Sequence, residues 1–107
     1  METKIIEISS GNVFTDLELQ DAQELLTKAE LARQINTLIK KNKLTQIKAA
    51  KLLDIDQPKI SALSQGKLTG FSLERLLRFL TILGQNITIN VSKAKTKQPA
   101  VIKVTSI

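Results

Sequence analysis

From Ala22 to Lys41 the apolar positions step by three and four. Leu25, Leu31, Ile35 and Leu38 carry the step, with Lys28 and Asn42 on the same line, and Ala29, Ala32 and Ile39 widen it. This predicts one long amphipathic helix. Asp21 followed by Glu24 has the form of a capping box at its start. A second helix is expected over Gln46–Leu53, capped by Thr45, with Ile47, Ala50 and Leu53 facing inward. A third is expected over Gln57–Gln65, capped by Asp56 and ended by Gly66. Pro58 then falls in the first turn, where its missing N–H costs nothing. Ser72 can cap a fourth helix running to about Leu83. There Leu73, Leu76, Leu77, Leu80 and Leu83 point inward, and Gly84 closes the element.

The period then changes. Ile87, Ile89 and Val91 alternate with Thr88 and Asn90, which predicts a strand over Asn86–Val91. Residues 4–8, KIIEI, suit a short strand, and Ser9 to Asn12 reads as a turn. Val13, Phe14, Leu17 and Leu19 are apolar anchors for a segment laid over a helical core. Residues 92–99 are a polar, basic linker, and residues 101–107, VIKVTSI, suit either another short strand or a frayed tail. The expected fold class is therefore all-α, a helical bundle with a short C-terminal strand. The chain divides into an N-terminal arm (1–20), a helical domain with its strand (21–92) and a basic tail (93–107).

Composition narrows the chemistry. At 107 residues one domain is the default, and aromatics make up only 3%, so the core must be Leu, Ile and Ala. There is no cysteine and no histidine, which removes thiolate chemistry, the commonest general base and the commonest transition-metal ligand. No two of the ten acids form an obvious site, so neither an enzyme nor any cofactor or metal is expected. No run approaches the roughly 20 apolar residues of a membrane span. The N-terminal METKIIEISSG lacks the blocks of a signal peptide, so a cytoplasmic location and no membrane partner are expected.

The net charge is +6 and uneven: residues 1–30 hold two bases against seven acids, and the remainder holds fourteen bases against three. A basic body of this kind suits a polyanion, although a plain solvated surface has the same look.

The second and third helices are separated only by Asp54 and Ile55, with Asp56 as cap. So tight a turn forces a steep crossing. The small Ala49 and Ala50 allow close approach, and Ile60 and Leu63 fill the angle. The stretch LTQIKAAKLLDIDQPKISALSQGKL, Leu44 to Leu68, resembles the helix-turn-helix of the Cro/lambda-repressor-like, or XRE, family. The segments SSGNVFTDL, LLTKAELARQI and GFSLERLLRFLTILGQNITI extend the likeness to a subgroup similar to host-inhibition-of-growth antitoxins, over roughly residues 9–92. Asp54 is a departure, since the family usually has Gly in the turn.

The resemblance implies that the third helix enters the major groove of double-stranded DNA, N-terminal end first. Gln57, Pro58, Lys59 and Ala62 then face bases, with Ser61 nearby. Gln46 meets phosphate at the start of the second helix and braces Gln57, and Thr45 beside it belongs to the same DNA-binding set. Lys59 and Lys67 are phosphate ligands, with Lys43 at the rim. A glutamine amide can accept from adenine N6 and donate to N7, which makes Gln57 the best candidate for direct readout. Lys40, Lys41, Lys48 and Lys51 read as solvated, and Arg75 and Arg78 as surface or intersubunit partners.

One such unit covers half a palindromic operator, so a homodimer is expected. The lone strand NITINV has unpaired edges and can pair with its copy in a second subunit, or with KIIEI or VIKVTSI within the chain. The expected function is a sequence-specific transcriptional regulator, a repressor. The alternative is an antitoxin that masks a ribonuclease-type toxin, using residues 1–20 or the basic tail, and also regulates its own operon.

Overall fold

The computed structural model describes residues 4–6, 16–95 and 100–106, with side chains from Asp21 onward up to Thr105. Among these residues there are four helices: α1 (Asp16–Lys41), α2 (Gln46–Leu53), α3 (Gln57–Ser64) and α4 (Leu73–Ile82). Two short strands, β1 (Lys4–Ile6) and β2 (Val104–Ser106), complete the order. The contacts divide into two compact units, residues 28–87 and the described parts of 1–27 with 88–107.

Residues 28–87 hold the helical core. Leu31, Ala32 and Ile35 of α1, Ala49, Ala50 and Leu53 of α2, and Ile60 and Leu63 of α3 are buried. Leu68 and Phe71 from the connection and Leu76, Phe79 and Leu80 of α4 complete it. Removing each such Leu or Ile side chain from water contributes about 1.5–3 kcal/mol. Phe71 and Phe79 meet edge to face, centroids 6.0 Å apart. Arg75 lies over both rings, 5.6 and 5.8 Å from their centroids. Leu73 and Leu77 of α4, and Leu83 just past its end, are half-buried, so the fully buried line is Leu76, Phe79 and Leu80.

Helix α1 begins at Asp16, six residues before the expected start at Ala22. Asp21 is an interior helical residue, not a cap. The physical reason is that DLELQ, residues 16–20, contains no Gly or Pro to interrupt a helix. The early part of α1 also reverses the expected face. Leu25 is 64% exposed, while Gln23, Thr27 and Glu30 are buried. Each of these polar side chains has a partner. Gln23 Nε2 donates to the Ala100 carbonyl at 3.1 Å, and Thr27 Oγ1 donates to the Gln23 carbonyl at 2.7 Å. The Glu30 carboxylate accepts from Arg33 Nε at 2.8 Å, from Arg33 Nη2, and from Gln34 Nε2 at 3.3 Å.

In the second unit β1 and β2 pair antiparallel, Lys4 opposite Ser106, Ile5 opposite Thr105 and Ile6 opposite Val104. The short C-terminal strand is therefore Val104–Ser106. Asn86–Val91, for which alternation predicts a strand, has no ladder partner among the described residues. The two end segments satisfy each other's edges instead. The turn expected at residues 9–12 and the anchors Val13 and Phe14 lie outside the described residues, as do the side chains of Leu17 and Leu19.

Candidate nucleic-acid interface

The geometry of the α2–α3 pair follows from its caps. Thr45 Oγ1 accepts from Lys48 N–H at 3.2 Å, and Asp56 Oδ1 accepts from Lys59 N–H at 2.9 Å. Each side chain satisfies one orphan donor of a first turn. Pro58 occupies the first turn of α3, as expected. Between the helices Asp54 adopts the left-handed conformation, φ 56° and ψ 48°. Its N–H donates to the Lys51 carbonyl at 3.3 Å, and Ile55 N–H donates to the Ala50 carbonyl at 3.0 Å. This is a Schellman ending built on a non-glycine residue.

The same ending closes the other three helices. Lys43 (φ 54°) ends α1, with Leu44 N–H on the Ile39 carbonyl at 3.0 Å. Gly66 (φ 75°) ends α3, with Lys67 N–H on the Ala62 carbonyl at 2.9 Å. Gly84 (φ 87°) ends α4 through Gln85 N–H on the Leu80 carbonyl. Ser72 caps α4, its Oγ accepting from Arg75 N–H at 3.1 Å.

Helix α3 is anchored on one side by Ile60 and Leu63, both buried. At 3.6 residues per turn the opposite side carries Pro58, Ser61, Ala62 and Gln65, with Gln57 on the flank next to Ile60 in the first turn. Gln57 and Pro58 are exposed at the leading end, and Ser61 and Ala62 are half-buried behind them. Gln65 Nε2 donates weakly to Ser61 Oγ at 3.4 Å. Lys59 is half-buried on the flank, and Lys67 is exposed just past Gly66. Thr45 and Gln46 are exposed at the start of α2. Residues 28–87 contain eleven bases and four acids, a net of +7, so the positive charge of the chain is concentrated on the unit that carries α3.

One core expectation fails. Ile47 is 57% exposed, because α2 turns Ala49, Ala50 and Leu53 inward. Ile47 is two positions from Ala49, about 200° away around the helix. Its apolar character alone therefore misleads. Sequence reasoning also missed Asn36, whose Nδ2 donates to the Leu63 carbonyl of α3 at 3.0 Å. A polar residue on a helix flank gives no signal of such a partner.

Comparison with known proteins agrees with this geometry. A family model described as a helix-turn-helix domain matches residues 13–92. A solved structure assigned as an XRE family transcriptional regulator is 43% identical, with a TM-score of 0.70, covering 76% of this chain and 91% of that one. No curated protein matches the sequence. The chain belongs to the helix-turn-helix domain family, in its XRE-like form. It is a DNA-binding transcription regulator and not an enzyme. Among the described residues no helix is long and apolar enough to cross a membrane.

Proposed function

We propose that the protein is a cytoplasmic, homodimeric repressor that reads a palindromic operator with α3. The observation that carries this is the exposed leading end of α3, with Gln57 and Pro58 just past the Asp56 cap, on a unit of net charge +7. Gln57 makes the bidentate contact to adenine, and Pro58 and Ala62 offer apolar contact to a thymine methyl. Lys59 and Lys67 bind phosphate, and Ser61 lies beside the base contacts. Gln46 bonds phosphate and braces Gln57, with Thr45 next to it.

Dimerisation uses Asn86–Val91. Ile89 is 74% exposed and Val91 94% exposed, in a segment without a ladder partner among the described residues. Pairing with its copy across a two-fold axis covers both and holds the two α3 helices one DNA turn, about 34 Å, apart. Selection from random duplex DNA tests this: an enriched inverted repeat is expected, and a pool without any enriched sequence overturns it.

A second function is favoured by one observation. Outside residues 28–87 and beyond that ribbon, Leu25, Leu26 and Ile102 are exposed large apolar side chains. A bare repressor has no need of them all, whereas an antitoxin that covers a ribonuclease-type toxin does. Co-expression with the product of a neighbouring toxin-like reading frame decides it: rescue of growth is expected, and continued toxicity removes the antitoxin role.

A further inference from the structure

Of the two buried residues that anchor α3, Leu63 is the one at its far end. Its side chain is fully buried. Its carbonyl accepts from Gly66 N–H at 3.2 Å and from Asn36 Nδ2 at 3.0 Å, so both lone pairs are engaged. Asn36 is on α1, 27 residues away in sequence, and half-buried. It thus ties the far end of α3 to a helix outside the helix-turn-helix pair.

The leverage is geometric. Gln57 precedes Leu63 by six residues, which at 1.5 Å per residue is a lever of about 9 Å. A tilt of about 10° around Leu63 moves Gln57 by about 1.6 Å, while a hydrogen bond holds its distance only over roughly 2.7–3.2 Å. A bidentate base contact is lost by such a shift. Phosphate contacts from long lysine side chains follow it, because they position the protein without reading sequence.

We propose that Asn36 is a positioning residue: it sets the tilt of α3 and thereby the sequence selectivity of the protein on DNA. This rests on DNA readout by α3. Asn36 needs no contact with DNA itself. Its effect is on the ratio of specific to non-specific affinity, and a residue that only supported folding would lower both together.

The test uses the full chain, the site selected by the wild-type protein, and a scrambled duplex of equal length. Asn36→Leu keeps the side-chain size and removes the donor. Asn36→Ala removes the donor without adding bulk. The expected result in a folded variant is a drop of about tenfold in the specific-to-scrambled affinity ratio, the scale of one base contact. Affinity for the scrambled duplex stays within about twofold, and the salt slope is unchanged. An unchanged ratio in either folded variant overturns the proposal. So does an equal fall on both duplexes, or a failure of both variants to fold, which makes Asn36 a stability residue. If the wild-type chain selects no site, readout by α3 is what has failed.

Discussion

Asp54→Gly should stabilise the protein. Asp54 sits at φ 56°, ψ 48° and closes α2 through two backbone hydrogen bonds that need no side chain. The left-handed conformation costs an L-residue roughly 1–2 kcal/mol, and less for Asp than for most. Glycine removes that cost but gives back about 0.5–1 kcal/mol, because its unfolded chain is freer. The net gain is at most about 0.5–1 kcal/mol, or up to about 2–6 °C in melting temperature for a domain of this size. The assay is thermal unfolding by circular dichroism of wild type, Asp54→Gly and Asp54→Ala. Alanine removes the same charge but keeps the Cβ, so it should melt at or below the wild type. Equal rises for Gly and Ala make the charge, not the backbone, responsible. A fall for Asp54→Gly refutes the account of this turn.

Lys43→Gly should stabilise at least as much as Asp54→Gly, since Lys43 holds φ 54° without the local advantage of Asp; the same melts check it. Leu63→Ala empties a fully buried position and should cost about 2–5 kcal/mol in urea unfolding. Truncation after Gly84 removes the exposed Ile87, Ile89 and Val91 and should yield a monomer by analytical ultracentrifugation; a truncated chain that stays dimeric rules out the Asn86–Val91 ribbon as the main contact.

The helix-turn-helix was legible because its signals are local. Thr45, Asp56 and Ser72 cap the helices they precede, and Gly66 and Gly84 close the ones they follow. What escaped depends on distant partners. The burial of Gln23 is settled by the Ala100 carbonyl, 77 residues away, and nothing near Gln23 announces that. The pairing of Ile5 with Thr105 joins the two ends of the chain, which no local period encodes. Ile47 is exposed because the inward side of α2 is set by Ala49, Ala50 and Leu53, and a three-step apolar rule starting at Ile47 points to one side of that line. Lys43 gave no sign of its left-handed backbone, since lysine has no preference for it. On the recognition side, the exposed end of α3 was read from Asp56 and Pro58, while the tie from Asn36 was not.

The central claim is base readout by Gln57, and one measurement reaches it directly. The affinities of wild type and Gln57→Ala are compared on the selected operator and on every single-base variant of one half-site. Wild type should discriminate by about 1–3 kcal/mol at one A·T pair, and Gln57→Ala should lose that preference while keeping the others. The same preference in both proteins, at every position, contradicts the account.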